Sequence, residues 1–142
     1  MPEQWKLGEP LPNDCYLGVT VNCVGVMGKG IALVAKQRYM NENQFNMYRM
    51  NCFNKRLIPG GIMVTGQFVL MATKDHWRNP SELEWVRNIL QGLIEFSFGM
   101  YNQTLLLPKL GCGNGGLDWE TQVKPLVELA IPKMGWKEVI IL

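Results

Sequence analysis

Residues 15–39 read CYLGVTVNCVGVMGKGIALVAKQRY, and the three textures that succeed one another there decide the fold. Cys15 to Cys23 is rich in β-branched and aromatic residues, which predicts a strand. Gly25, Gly28 and Gly30 then place three glycines in six positions. Residues 31–39 follow, with Ile31, Val34, Ala35 and Tyr39 on one helical face. A strand that passes through a glycine turn into a helix is the repeating unit of α/β domains.

Outward from that unit the alternation continues. Residues 42–52, rich in Met and Asn, form a second helical stretch. Pro59-Gly60-Gly61 marks a turn, and IMVTGQFVLMAT at 62–73 reads as one bent strand or a hairpin around Gly66. Asn79 as N-cap, Pro80 at the first helical position and Glu82 three residues after the cap predict a helix. Its inner face carries Leu83, Val86, Leu90, Leu93 and Ile94. Thr104 to Leu107 is nearly all apolar, as in a strand buried on both faces. The run GCGNGG at 111–116 leads to a helix capped by Asp118 and bent at Pro125, and EVIIL closes the chain as a strand. The expected architecture is a three-layer α/β/α domain over 15–142, its central sheet mixed and mostly parallel, after an irregular leader at 1–14.

Composition narrows the function. The 142 residues suffice for one domain with its own core and no staples. Fourteen basic against twelve acidic residues leave a net charge of +2, too little for a broad field that grips nucleic acid nonspecifically. A phosphate-bearing small ligand needs only a few local donors, and this balance permits that. Cys15, Cys23, Cys52 and Cys112 form no C-x-x-C pair, and with one histidine no zinc-ligand spacing exists. Free thiols in a reducing compartment and no bound metal are expected. The start MPEQWKLGEPLPND has no signal-like apolar region, and no apolar run approaches the roughly 20 residues of a membrane span. The expected location is the cytoplasm.

Two glycine loops carry the binding chemistry. The first, Asn22 to Gly30, lets backbone approach a ligand closely, and the helix beginning near Lys29 points its unpaired N–H groups at it. A tight turn with no ligand is the alternative. It is no Walker A loop: Cys23 stands where the first glycine should be, and Gly30 follows Lys29 in place of Ser or Thr. The second loop, Gly111 to Gly116, formally satisfies G-x-G-x-x-G. A dinucleotide fold would need further strands after it, and only one remains. Two such loops on neighbouring strands suggest a clamp on a diphosphate and a sugar. The Asn22 amide could hold sugar hydroxyls, or it could stabilise its own turn.

Between a strand end and a helix lies Thr73-Lys74-Asp75-His76-Trp77-Arg78. Lys74 could act as nucleophile or electrostatic stabiliser, and His76, the only histidine, as acid or base. Trp77 could stack on a base and Arg78 pair with phosphate. The competing reading is a polar loop with Trp77 in the core and Lys74 solvated. Asp118 and Glu120 could serve as bases, though capping and first-turn placement explain both. Cys112 lies near a helix N-terminus, where a thiolate is favoured, but no base partner accompanies it.

Three runs now resemble a known family: VNCVGVMGKGIA at 21–32, TKDHWR at 73–78 and PKLGCGNGGLDW at 108–119. In this order they are similar to macrodomains, and more narrowly to the branch of DarG-type DNA ADP-ribosyl glycohydrolases and bacterial or phage Appr-1-p processing proteins. Terminal ADP-ribose protein glycohydrolase is a more distant relative. The resemblance spans about residues 15–142 and implies an ADP-ribose site without cofactor or metal. Asn22 would bind the distal ribose. Gly25, Val26, Met27, Gly28, Gly30 and Ile31 would form the first loop, with Gly28 and Gly30 along the diphosphate. Gly111, Cys112, Gly113, Asn114, Gly115 and Gly116 would form the second.

The same resemblance implies that Lys74 takes part in cleaving ADP-ribose from a DNA or protein acceptor. Two other activities stay open: a phosphatase on ADP-ribose 1''-phosphate, using His76 or a carboxylate to activate water, and a non-catalytic ADP-ribose reader. Two departures from the family pattern stand out. The protein glycohydrolase carries an aspartate where this chain has Gly115. Macrodomains also usually open with a longer strand and an aspartate that reads adenine, whereas the leader here is short and proline-broken, with Asp14 as the available substitute.

Overall fold

The computed structural model describes residues 4–142. Strand β1 (Cys15–Asn22) lies at the centre of a five-stranded sheet and is followed by helices α1 (Gly30–Arg38) and α2 (Glu42–Phe53). Strands β2 (Ile62–Thr65) and β3 (Phe68–Lys74), helix α3 (Leu83–Phe96), strand β4 (Thr104–Leu107), helix α4 (Lys124–Ala130) and strand β5 (Glu138–Ile141) complete the chain. The spatial order is β2-β3-β1-β4-β5, and only the β2–β3 pairing is antiparallel. The 62–73 stretch is thus a hairpin, turning at Gly66-Gln67 between the paired Thr65 and Phe68.

Strand periodicity sorts the core into two layers. Cys15, Leu17, Val19 and Val21 of β1, with Leu70 and Ala72 of β3, pack against Ala32 and Ala35 of α1 and Tyr48 and Cys52 of α2. Val69 and Met71 of β3, with Leu105 and Leu107 of β4, pack against Val86, Ile89, Leu90 and Leu93 of α3 and Val127 of α4. Every residue of β4 is buried, as its apolar run requires. The three-layer α/β/α arrangement with a mostly parallel sheet is therefore the observed one.

Two local expectations are corrected. Helix α3 begins at Leu83, not Pro80: Glu82 is still extended (φ −113°, ψ 142°) and Asn79 is no cap. The Asn79 N–H donates to the His76 carbonyl and its amide to Asp75, while the Ser81 N–H donates to the Gly115 carbonyl at 2.8 Å. That last bond holds Pro80 and Ser81 against the second glycine loop and delays the helix. Asp118 does cap its helix, accepting from the Thr121 N–H at 2.8 Å. The bend expected at Pro125 takes the form of a π-helical turn over Trp119–Val123 that runs into α4. Proline offers no N–H to the carbonyl four residues back and crowds it, and the wider turn relieves that conflict.

All four cysteines are free thiols. Among the described residues no helix is long and apolar enough to cross a membrane, and no three His, Cys, Asp or Glu side chains gather into a metal-ligating group.

Candidate functional site

The strand order makes β1 the switch point of the sheet. The chain leaves β1 towards β3 on one side and, after α3, comes back to β4 on the other. Loops that diverge in this way leave a crevice beyond the carboxyl ends of the strands. A cleft of about 720 Å³ opens there, within the range of small-molecule sites. Its floor includes Thr20 and Asn22 of β1, and its walls come from the first glycine loop, the segment after β3 and the second glycine loop.

The first loop is shaped from beneath by Asn22. This buried side chain accepts from the Val24 and Val26 N–H groups at 3.1 and 3.3 Å and donates to the Val26 carbonyl at 2.8 Å. Gly25 turns the loop at φ +83°, a conformation that side-chain-bearing residues rarely adopt, and packs against Arg49 of α2. Met27 is buried beneath the loop and anchors it, while Val26, Gly28 and Gly30 line the cleft. The loop delivers the chain to the N-terminus of α1 in an unusual condition. Lys29, the N-cap, makes no side-chain capping bond, and the first turn carries no acidic residue. Helix α2, by contrast, starts with a complete capping box from Asn41 and Gln44 and has Glu42 in its first turn. The orphan N–H groups and positive dipole end of α1 thus open on the cleft, where Gly30 and Ile31 line the wall.

The second wall is a 3₁₀ turn over Gly113–Gly115. Gly115 is buried against Ser81, and a Cβ at that position would stand 2.5 Å from the Ser81 hydroxyl oxygen and 3.1 Å from its Cβ. Ser81 therefore occupies the space that an aspartate at 115 would need. The aspartate that the protein glycohydrolase carries at this position has no room here. Cys112 lines the cleft with a thiol raised above its ordinary value, first by burial and then by the Asp118 charge. That is the reverse of what a reactive thiolate needs.

The register between β1 and β3 slips by one residue, so that Val21 pairs with Ala72 but Asn22 with Lys74. The extra residue, Thr73, and Lys74 both reach the cleft lining. Bulges of this kind re-aim side chains beside functional sites. Lys74 is half-buried, and its ammonium donates to the Trp77 carbonyl at 3.2 Å. The ion pairs seen among the described residues, Arg87–Glu84 and Lys124–Glu120, do not involve it.

His76 is not brought to the cleft. Its Nδ1 accepts the Arg78 N–H at 3.1 Å and its ring stacks on Trp77, with centroids 5.0 Å apart. Trp77 is not a core residue but 45% exposed, and it lines the cleft together with Arg78. Asp14 precedes the first residue of β1 and so lies at the opposite end of the sheet, exposed and away from the ligand crevice. Asp118 and Glu120 are spent on the helix start and on an ion pair with Lys124. Thr20, Lys29 and Lys109, which carry no role in the sequence motifs, also line the cleft. Their position at strand ends and a helix cap was the available signal.

No protein-family model matches the chain. A DNA ADP-ribosyl glycohydrolase of Mycobacterium tuberculosis is 42% identical over 116 residues, which are 76% of this chain and 32% of the relative. The chain thus spans about a third of the length of the curated relatives it matches. The macrodomain of Mycobacterium tuberculosis DarG superposes with a TM-score of 0.84 at 34% identity, covering 97% of this chain and 93% of that one. Thermosipho africanus DarTG in complex with ADP-ribose gives a TM-score of 0.75 at 30% identity, with 91% of this chain and 38% of that one covered. With fold, loop order and near-complete overlap agreeing, the chain belongs to the DarG macrodomain family.

Proposed function

We propose that the cleft binds ADP-ribose and that the chain hydrolyses ADP-ribose conjugates, releasing ADP-ribose from a DNA or protein acceptor. The observation that carries this is the uncapped N-terminus of α1, which opens on a cleft whose opposite wall is a second glycine loop. A diphosphate at Gly28, Gly30 and Ile31 would satisfy the orphan N–H groups and complement the dipole. The first loop from Gly25 to Met27 and the second from Gly111 to Gly116 would then close over the ribose nearest the acceptor. Asn22, on this reading, shapes the first loop and offers its remaining amide hydrogen to a ribose hydroxyl.

Lys74 sits at the centre of the proposed chemistry. Its amine can attack the anomeric carbon as the acceptor departs, giving a covalent adduct that water then hydrolyses to free ADP-ribose and the amine, or its ammonium can stabilise the departing group while water attacks that carbon. The name of the Mycobacterium tuberculosis relative, DNA ADP-ribosyl glycohydrolase, and the ADP-ribose held by the Thermosipho africanus protein support the substrate class. The phosphatase reading is weaker because its imidazole, His76, is absent from the cleft lining. Free thiols throughout agree with a cytoplasmic setting.

The test is ADP-ribose release from ADP-ribosylated single-stranded DNA and from ADP-ribosylated protein, with the unaltered chain and Lys74→Ala. The expected outcome is release by the unaltered chain and a loss of about a hundredfold or more on substitution. Equal release by both removes Lys74 from the mechanism. Release by neither, with ADP-ribose still bound in calorimetry, leaves a reader.

A further inference from the structure

Helix α2 carries apolar side chains on both of its faces. Tyr48 and Cys52 are buried against the sheet, as a core-facing stripe should be. Met47, Met50 and Phe53 follow one another at three-residue spacing on the opposite face and are 51, 61 and 86% exposed. A surface helix ordinarily keeps that face polar or charged. Apolar side chains exposed together over successive turns mark a surface that a partner covers. No residue of α2 lines the cleft, so this face is a separate place on the molecule.

The charge around the stripe is almost all of one sign. Lys36, Arg38, Arg49, Lys55 and Arg56 fall within residues 36–56, where Glu42 is the single carboxylate. In a chain of net charge +2 that imbalance is local. All five cations are exposed, and neither ion pair seen among the described residues includes one of them. Two are drawn together: the Lys36 ammonium lies 4.4 Å from the centroid of the Phe45 ring, and the Arg49 guanidinium 5.9 Å from the same centroid. Like charges gathered on one ring repel, and a carboxylate placed between them relieves the repulsion. A third, Lys55, closes α2 at φ +55°, the one positive φ outside glycine among the described residues. Glycine takes that conformation without strain, so a cation at this position is held at a cost.

Anionic partners of several kinds meet cations, and the stripe between the charges separates them. The phosphates of a nucleic acid would lie across methionine and phenylalanine side chains and lose water there without compensation. A lipid surface would bury Asn43, Asn46 and Asn54, exposed beside the stripe, in hydrocarbon that offers their amides no hydrogen bond. A protein segment meets all three features at once, and methionine side chains adapt readily to such a contact. We infer that the outer face of α2 docks an acidic amphipathic helix of a partner protein. Its apolar stripe would lie on Met47, Met50 and Phe53, and its flanking carboxylates would meet Lys36, Arg49 and Lys55. This docking does not depend on what the cleft binds.

The experiment is an anisotropy titration of three labelled helical peptides, with and without saturating ADP-ribose. The first peptide carries leucines along one face and glutamates on both flanks. The second has lysines in place of the glutamates, and the third has serines in place of the leucines. The first should bind, more tightly at about 50 than at about 200 mM salt, and the other two at least about tenfold more weakly. Met50→Ser should weaken the first about fivefold or more, and Lys36→Ala about two- to fivefold with a flatter salt dependence. No binding of the first peptide overturns the inference, as does equal binding of either control or affinity indifferent to both substitutions. Loss of binding when ADP-ribose is added overturns it by placing the peptide in the cleft. Tighter binding of phosphatidylserine vesicles or of duplex DNA, or a dimer of the unaltered chain that Met50→Ser dissolves, overturns it by naming another occupant.

Discussion

The Tyr48 hydroxyl, fully buried on α2, lies 2.8 Å from the carbonyl oxygen of Asn22 and 3.0 Å from its side-chain oxygen. Asn22 in turn holds the first glycine loop through Val24 and Val26. A phenol in the layer beneath the sheet thus governs the loop that faces the cleft, through a residue 26 positions earlier in the chain.

Tyr48→Phe keeps the ring and removes only this donor. Losing one buried hydrogen bond and leaving its acceptors short of a partner costs about 1–3 kcal/mol, which a lowered Tm would report. ADP-ribose affinity should fall several-fold, because the loop N–H groups lose their fixed geometry. The chemical step should suffer less, since Lys74 sits on another strand. A variant that binds ADP-ribose as tightly as the unaltered chain would show that Asn22 shapes the loop unaided.

Ser81 and Gly115 make a second coupled pair. The Ser81 hydroxyl is buried with no hydrogen-bond partner among the described residues, and it stands where a Cβ on Gly115 would go. Gly115→Ala should cost about 1–3 kcal/mol by overpacking. Ser81→Gly should remove both close contacts, so the double variant should lose less than the sum of the single losses. Additive melting temperatures would mean that the loop relaxes without Ser81.

Burial raises all four thiols, Cys15 to about 11, with Asp14 adding to the rise, and Cys23 to about 12, with Cys52 and Asp75 adding. In the unfolded chain these thiols ionise near their ordinary value of 9.0. Above that pH the unfolded state sheds protons that the folded state keeps, so stability must fall as pH rises from about 9 towards 11 and 12. Melting temperature should be insensitive to the thiols between pH 6 and 8 and decline beyond 9. Iodoacetamide at pH 8 should label the folded chain slowly and the unfolded chain at all four cysteines. Rapid labelling of Cys112 alone would restore it as a reactive group.

Much of this architecture was legible because it is written locally. The apolar run of β4, the helical stretch at 42–52 and the glycines after β1 and β4 need no distant partner to declare themselves. What stayed hidden depends on contacts between remote segments. The Asn79-Pro80-Ser81-Glu82 signature is a sound helix start, yet a single bond from Ser81 to Gly115 overrides it. Asp14 could stand as an adenine reader only while the direction of β1 was unknown. Tyr48 reads as one aromatic among many until the fold sets its hydroxyl under Asn22. The cationic lining of the cleft is invisible in a net charge of +2, because sheet order, not composition, collects Lys29, Arg78 and Lys109 around it.

His76 separates a catalytic role from a structural one. Its Nδ1 accepts the Arg78 N–H, which closes the turn that presents Trp77 and Arg78 to the cleft. Asparagine can offer an acceptor oxygen near the position of Nδ1 but cannot exchange a proton, whereas alanine can do neither. If the ring only supports the turn, His76→Asn should retain most of the ADP-ribose release that His76→Ala loses, with the pH profile unchanged in shape. Proton transfer through the imidazole would instead make both variants equally slow and remove one limb of the profile. Since the ring lies outside the cleft lining, rescue by asparagine is the expected result, with Lys74→Ala defective under the same conditions.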